Sequence, residues 1–317
     1  MPVSSLPADT PLFIVLNAGS GSHDSRQTRE TIERVLEGAG RRHRIQSVKD
    51  ARRLSAAARK AVEDARTERG AVVAAGGDGT INAVAQAVVG SGVPFGVLPE
   101  GTFNYFAREH GIPTETADAV RLLLDGNVRS VRVGRVNDRI FLVNASLGLY
   151  PKLLEDREEW KRQFGRSRLV ALWAGTIALL RGHRRMTLEV EHAGCRRTLH
   201  TSTLFIGNNR LQLDQIGIAE AAALDEGRLA ALALRPVGRF AMLCLLARGA
   251  FGTLGEADEV NSFSFRTLRL TVLRRGRRHG RIKVATDGEV LWLRAPLEFA
   301  ALPDALSLIV PVERAPA

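Results

Sequence analysis

The chain has 317 residues, of which 45% are hydrophobic and 25% charged, and its formal net charge is +11. A chain of this length and composition can bury the cores of two domains, which excludes wholesale disorder. Two cysteines are too few for a disulfide framework, and no apolar run reaches the roughly 20 residues of a membrane span. Because the first residues also lack a signal peptide, we expect a cytoplasmic protein whose partners are anionic.

The first 130 residues alternate between short apolar segments and helical patterns. The apolar segments predict strands at 12–17, 44–48, 71–75 and 93–98. The spacing of apolar residues predicts helices at 25–38, 55–66, 81–89 and 116–124. Strands that alternate with helices form parallel sheets, so residues 11–130 are predicted to form an α/β domain with a parallel sheet.

After residue 130 the pattern changes to short strands separated by turn signals. The predicted strands are 131–136, 139–145, 185–192, 197–207, 229–235, 266–274, 281–287 and 289–294. Helices are predicted to interrupt them at 155–180 and 237–248. This pattern favours a mostly antiparallel β-sandwich as a C-terminal domain over 131–300, with a tail, 301–317, that is able to return to the first domain.

The most informative segment is the turn GGDGT at residues 76–80, between a predicted buried strand and a helix. Its glycines allow a ligand to approach the backbone closely, and N–H groups at a helix N-terminus favour phosphate. Asp78 would act on a phosphate through Mg²⁺ or a water molecule, Thr80 is the expected N-cap, and Asn82 is able to face the same turn. A plain strand-to-helix turn explains the same residues and stays open.

Two further loops follow predicted strands and are expected at the same sheet edge. The first, NAGSGS at 17–22, has a G-x-G pattern without the third glycine of the dinucleotide fingerprint. The second, LPEGTFNYFAR at 98–108, offers Thr102 and Asn104 as hydrogen-bonding groups. A capped helix with a hydrophobic staple is the alternative interpretation of this second loop. No P-loop motif is present in the sequence.

The ordered set of motifs resembles the diacylglycerol kinase catalytic domain family, which includes bacterial soluble lipid kinases and sphingosine kinases. The resemblance rests first on GGDGTIN at 76–82 and LPEGTFNYFAR at 98–108, with LNAGSGS at 16–22 before them. It continues with FLVNASLG at 141–148, ALDEGRL at 223–229 and TDGE at 286–289. GGDGT alone also occurs in NAD kinases and phosphofructokinases, so the order of the whole set is what makes the resemblance specific.

The resemblance implies an ATP site and a general base. The implied nucleotide contacts are Asn17, Ser20, Gly21, Ser47, Gly76, Gly77, Asp78, Gly79, Thr80, Ile81, Asn82, Thr102 and Asn104. Asp287 is implied to take the proton of the acceptor hydroxyl, with Glu289 assisting and Asp78 supporting catalysis at the nucleotide. An Asp-Gly pair between two strands is also a common hairpin turn, and this interpretation of Asp287 stays open.

The family's metal element implies a structural Mg²⁺ held by the Ala223 carbonyl, the Glu226 side chain and the Arg228 carbonyl. Glu226 stands where the family has aspartate, and a surface turn is an equally good interpretation. Tyr105 replaces a family carboxylate, and residues 207–212 replace a glycine-rich segment. Because these changes affect the acceptor side, diacylglycerol itself is not assumed to be the substrate.

Two basic regions are typical of contact with an anionic membrane. One is the apolar run 169–180 with arginines on both sides, and the other is the arginine-rich turn 274–281. A buried helix explains the first segment and a solvated turn explains the second, and both interpretations stay open. We therefore expect an ATP-dependent lipid kinase that phosphorylates a lipid hydroxyl at the inner membrane surface, with Mg²⁺ and without nucleic-acid partners. Alternatives are a kinase for a soluble substrate such as NAD and an inactive nucleotide-binding membrane adaptor; a homodimer is left open.

Overall fold

The computed structural model describes residues 4–19, 25–148, 185–192, 194–274, 277–278 and 280–312. The chain divides into two units: unit 1 runs to Val133 and resumes at Leu302, and unit 2 is Gly134–Ala301. The predicted 155–180 helix, with its apolar run, lies outside the described residues, as do the side chains at 274–279.

The elements of unit 1 alternate strand and helix along the chain. The strands are β1 Ser4–Ser5, β2 Leu12–Asn17, β3 His43–Val48, β4 Ala71–Gly76, β5 Phe95–Pro99 and β6 Asn127–Val136, which continues into unit 2. The helices are α1 Ser25–Gly38, α2 Leu54–Glu68, α3 Asp78–Val88, α4 Tyr105–Glu109 and α5 Thr116–Asp125. A short 3₁₀ turn, Ala51–Arg53, precedes α2.

The central sheet of unit 1 is parallel, in the order β3-β2-β4-β5, and a long last strand, β18 Leu297–Val310, adds its Leu308 beside Phe95 of β5 in parallel. Both faces are covered: Ile32 of α1 and Leu123 of α5 join the core under one face. The buried residues of α2 and α3 indicate that these two helices cover the other face of the sheet. Phe13 and the alternate positions of β2 and β4 are buried on that face. The predicted parallel sheet is confirmed.

Unit 2 consists mainly of antiparallel strands. They are β7 Arg139–Phe141, β8 Asn144–Gly148, β9 Met186–His192, β10 Cys195–Thr201, β11 Thr203–Gly207, β12 Leu229–Leu234, β13 Val260–Phe265, β14 Thr267–Arg274, β15 Arg277–Arg278, β16 Arg281–Thr286 and β17 Glu289–Arg294. The helices are α6 Arg210–Gln215 and α7 Arg239–Ala250, with 3₁₀ turns at Ala219–Leu224 and Leu254–Glu256.

These strands form two sheets that share one core. One has the order β13-β12-β11-β8-β16-β17, and the other is β10-β9-β14 with the first half of β18. Leu147 and Val284 of the first sheet and Leu270 and Phe299 of the second belong to the same buried cluster. The mostly antiparallel C-terminal sandwich is therefore confirmed.

Several predicted boundaries were wrong, for local reasons. Helix α3 begins at Asp78 rather than at residue 81. The predicted strand 139–145 is two strands, since the chain breaks at 142–143, and 197–207 breaks at Ser202, whose N–H bonds the carbonyl of Leu234 instead. Strand β13 and the 14-residue β18 were not predicted, because serine and proline interrupt their apolar patterns.

Candidate active site

The glycine-rich turn joins β4 to α3 at the carboxyl edge of the parallel sheet. Gly77 is the N-cap of α3, with extended backbone, so the expectation that Thr80 caps this helix is wrong. A Cβ atom at Gly76 would lie 2.7 Å from the Cβ of Thr80, which explains why this position needs glycine. By contrast, a Cβ atom at Gly79 would have no neighbour within 4 Å, so the turn is open at that point.

Asn17 connects the first loop to this turn. Its side-chain amide donates a 2.8 Å hydrogen bond to the hydroxyl of Thr80, and both residues are buried. Its carbonyl oxygen accepts the N–H of Gly19 at 3.0 Å. Asn17 therefore holds the turn from inside. Of the other residues predicted here, Ser47 is exposed on the edge strand β3, beside Leu16, whereas Ser20 and Gly21 lie outside the described residues.

The PEGT loop lies directly against the glycine turn. The N–H of Glu100 donates to the carbonyl of Gly76, and a Cβ atom at Gly101 would lie only 2.8 Å from the Cα of Gly77. Asn104 takes a left-handed conformation and bonds both backbone groups of Gly101 through its amide, at 2.9 and 3.0 Å. Asn104 thus shapes the loop, while Thr102 is exposed on it.

Glu100 is a buried carboxylate that the sequence interpretation missed. Its two oxygens accept hydrogen bonds from the hydroxyls of Thr28 on α1, at 3.2 Å, and Thr116 on α5, at 2.8 Å. The loop that carries Thr102 is therefore tied to two helices behind the sheet. No sequence signal marks this role, since Thr28 and Thr116 lie 72 and 16 residues away from Glu100.

Asp78 joins the same two loops electrostatically. Its carboxylate is half-buried and accepts backbone N–H bonds at the start of α4, including that of Phe106 at 3.4 Å. Burial raises the pKa of Asp78, and these backbone hydrogen bonds oppose the shift. The side chain of Asp78 therefore caps α4. If Asp78 also acts through Mg²⁺, as predicted, its carboxylate has to serve both roles.

Two of the predicted nucleotide residues point into the protein. Ile81 is fully buried in α3, and the buried amide of Asn82 accepts a 3.3 Å hydrogen bond from Gln86. Their side chains therefore support the helix. The backbone N–H groups of the first turn of α3 are the chemistry that this segment can offer an anion.

In unit 2, Asp287 organises the chain break between β7 and β8. Its carboxylate accepts the backbone N–H groups of Leu142, Val143 and Asn144 at 2.7, 2.9 and 2.9 Å. Its own N–H returns a 3.0 Å bond to the carbonyl of Asn144, and its φ of 45° is left-handed. Of about four acceptor positions on a carboxylate, three are used by backbone.

Beside Asp287, strand β8 carries two buried oxygens without a hydrogen-bond partner. They are the side-chain oxygens Oδ1 of Asn144 and Oγ of Ser146, whose residues are 4% and 0% exposed. The amide of Asn144 donates to Gln212 of α6 at 3.0 Å. The two residues are two positions apart and so share one face of β8, opposite the core face. A buried oxygen without a partner is costly, and its position suits a ligand donor.

Glu289 lies at the start of β17, opposite Thr286 of β16. The residue is exposed as a whole, but partial burial of its carboxyl raises the pKa of Glu289, against the opposing charge of Arg139. Glu289 lies two residues after Asp287 in the sequence, and its assisting role stays a prediction.

The predicted metal turn fits Mg²⁺ poorly. The Ala223 carbonyl accepts backbone N–H groups from both Glu226 and Arg228, each at 3.2 Å, and the Glu226 carboxylate lies 3.7 Å from the Arg228 guanidinium. Within the described part of the chain, no group of three His, Cys, Asp or Glu side chains is positioned to hold a metal ion. A bound Mg²⁺ would have to displace the arginine from Glu226.

The fold and site define a class: a two-domain protein with a glycine-turn α/β domain and an antiparallel sandwich. Residues 11–136 match the diacylglycerol kinase catalytic domain, and residues 159–310 match the YegS C-terminal NAD kinase beta sandwich-like domain. Residues 11–136 are therefore a domain of the diacylglycerol kinase catalytic family, as the motif order indicated, and a YegS-type C-terminal domain follows it.

Relatives and solved structures agree with this assignment. A diacylglycerol kinase of Mycobacterium tuberculosis is 28% identical over 83% of this chain and 82% of its own length. A Klebsiella pneumoniae protein named probable lipid kinase YegS-like is 46% identical, over only 24% of this chain and 27% of its own. The crystal structure of a diacylglycerol kinase from Bacillus anthracis shares the fold, with a TM-score of 0.71 and 19% identity over 95% of this chain and 97% of that one. Among the described residues, no helix is long and apolar enough to cross a membrane.

Proposed function

We propose that this protein is an ATP-dependent lipid kinase that transfers the γ-phosphoryl group to a lipid hydroxyl at the inner membrane surface. The observation that carries the proposal is the pair of contacting loops at the edge of the parallel sheet. Gly79 leaves the turn open, Gly77 is the extended N-cap of α3, and Gly101 lies against Gly77. Such an open helix N-terminus is suited to phosphate oxygens.

The chain's own residues would bind and orient the nucleotide. Backbone N–H groups of residues 78–80 would bind the phosphates, and Thr102 would add a hydroxyl from the neighbouring loop. Asn17, Glu100 and Asn104 hold these loops rigid through hydrogen bonds, so little ordering is needed on binding. Mg²⁺ that arrives with ATP supplies charge neutralisation at the phosphates.

In unit 2, Asp287 would orient the acceptor hydroxyl and accept its proton. Phosphoryl transfer chiefly requires positioning of the nucleophile and stabilisation of charge, and three backbone N–H bonds fix this carboxylate in place. The side-chain oxygens of Asn144 and Ser146 lack partners, and a polar acceptor with hydroxyl or amide donors would satisfy them. A diacylglycerol-like lipid is the acceptor class that the M. tuberculosis relative's name suggests.

The test uses Gly79→Ala, for which the protein itself has room. We expect Gly79→Ala to fold as stably as wild type but to bind ATP at least roughly tenfold more weakly, since its methyl group occupies the space of a phosphate. Gly38→Ala is the matched control: it also has no neighbour within 4 Å, but it lies at the C-terminal end of α1.

Calorimetry measures ATP affinity, and transfer from labelled ATP to diacylglycerol in mixed micelles measures activity. Wild-type affinity in Gly79→Ala would contradict the placement of the nucleotide. Transfer to NAD instead of lipid would favour a soluble-substrate kinase, and ATP binding without transfer to either acceptor would favour an adaptor.

A further inference from the structure

Helix α7 exposes an apolar face that its position in a folded domain does not explain. Phe240 and Phe251, at its start and directly after its end, are 86% and 82% exposed. Cys244 and Ala247 are exposed between them. Steps of four, three and four residues place all four side chains on one side of the helix. A continuous apolar stripe thus faces away from the described residues of unit 2.

The opposite side of α7 is the one that packs on the protein. Met242 and Leu245 are 4% and 5% exposed, which fixes the orientation of the helix and leaves the stripe outward. A helix that is apolar on both sides is normally buried on both sides. We propose that the exposed side of α7, Phe240–Cys244–Ala247–Phe251, inserts into the interfacial region of an anionic lipid bilayer.

Charge favours a bilayer as the occupant. Within its 12 residues α7 contains two arginines and no carboxylate, Arg248 is exposed next to the stripe, and the whole chain has a net charge of +11. An interfacial helix combines this basic character with aromatic residues that enter the acyl boundary. Its length, about 18 Å, suits a helix that lies in the interface rather than one that spans it.

The size of the stripe argues against a second protein copy. A strip about 18 Å long and 10 Å wide offers roughly 200 Å², whereas a stable interface needs about 800 Å² from each partner. A lipid surface requires no such area, because each inserted phenylalanine adds its own transfer free energy. The two basic regions noted in the sequence, 169–180 and 274–281, are different segments, so α7 is an additional contact.

The proposal concerns the lipid-facing role of the proposed kinase but is tested without ATP. The two cysteines, Cys195 and Cys244, are both exposed, and only Cys244 lies on the stripe. An environment-sensitive fluorophore is attached to Cys244 in a Cys195→Ser background, and to Cys195 in a Cys244→Ser background as the control. With phosphatidylcholine–phosphatidylglycerol vesicles we expect a blue shift at Cys244 and none at Cys195.

Vesicle sedimentation completes the test. We expect Phe240→Ser and Phe251→Ser each to lower the vesicle partition constant roughly tenfold, and Phe240→Trp to preserve it. The matched control is Val312→Ser, which is also exposed but lies in unit 1 and should leave the partition constant unchanged. Unchanged binding of the double serine variant, or equal shifts at both cysteines, overturns the proposal. The proposal is also overturned if the wild-type protein is a dimer in the absence of vesicles and the double serine variant is a monomer. The proposal is supported if the double serine variant no longer binds vesicles but still phosphorylates a short-chain, water-soluble diacylglycerol. A wild-type protein that binds vesicles through α7 but has no kinase activity overturns only the kinase proposal.

Discussion

The polar groups of the two units are satisfied in different ways. In unit 1, the polar side chains at the sheet edge are paired within the protein: Asn17 with Thr80, Glu100 with two threonines on helices, and Asn104 with Gly101 of its own loop. In the described part of unit 2, Asn144 and Ser146 keep buried oxygens without partners beside Asp287, whose carboxylate accepts three backbone N–H bonds. The proposed nucleotide loops of unit 1 are therefore held by the protein's own hydrogen bonds, whereas the proposed acceptor residues of unit 2 include oxygens that a ligand would satisfy.

The largest expected effect is on Asp287 of unit 2. We expect Asp287→Asn to lower phosphoryl transfer roughly 10²–10⁴-fold, because the proton of the acceptor loses its base, while ATP affinity is unchanged. Initial rates at saturating ATP measure this, with Glu289→Gln as a milder comparison. If Asp287 served only the turn at 142–144, activity would fall no further than the folded fraction does.

Acid is expected to weaken unit 1 through His110. Burial, together with the charges of Arg129 and Arg132, lowers the pKa of His110 to about 3, and its ring packs edge-on against Phe106 at 4.8 Å. The unfolded chain takes up this proton near pH 6.5 and the folded chain does not, so the stabilisation is complete above pH 6.5 and is lost as the pH falls toward 3.

Each unit of a pKa shift corresponds to about 1.4 kcal/mol of unfolding free energy when the effect is complete. Because the His110 ring keeps some contact with water, we expect a smaller total loss over the whole shift, on the order of 2–4 kcal/mol. Urea titrations of wild type and His110→Asn over this range measure it. Amide exchange of the backbone around His110 follows unit 1 separately from unit 2. Parallel pH curves for the two proteins would contradict the assignment.

A pair of near-isosteric substitutions tests the comparison directly. Thr80→Val removes the acceptor of the Asn17 amide and should cost about 1–3 kcal/mol of unfolding free energy. Ser146→Ala removes a hydroxyl that has no partner and should be neutral or stabilising by up to about 1 kcal/mol. Chemical denaturation measures both, and a loss of stability in Ser146→Ala similar to that in Thr80→Val would remove the distinction between the units.

The smallest effect is expected at Asp78. Because burial raises its pKa, the folded protein disfavours the ionised form, and stability falls as the pH rises from the ordinary value of 3.8 through the raised pKa. Asp78→Asn should therefore be slightly more stable than wild type at pH 7, by less than about 1 kcal/mol, and the gain should vanish at acid pH. Thermal melts of both proteins across pH measure this. If the charge of Asp78 did not affect stability, the difference in Tm between wild type and Asp78→Asn would be the same at every pH.

Much of the architecture was predictable because it follows from local patterns. Apolar strands such as Leu12–Asn17 and Ala71–Gly76 are buried on both faces and read as continuous runs, so the parallel sheet was accessible. The glycine turn was found because its residues are adjacent. Glu100 and Asn144 were missed, since their partners Thr116 and Gln212 are 16 and 68 residues away and no spacing rule connects them.

The sequence by itself determined the order of strands and helices, the family and the loops able to meet phosphate, because each depends on neighbouring residues. Only the tertiary structure decided which side chains those loops leave open: it turned Thr80 and Asn82 inward, placed three backbone N–H groups on Asp287, and set Phe240 and Phe251 outward on α7. The physical reason is that burial and hydrogen bonding join residues far apart in the chain, whereas residue type and spacing register only what is near.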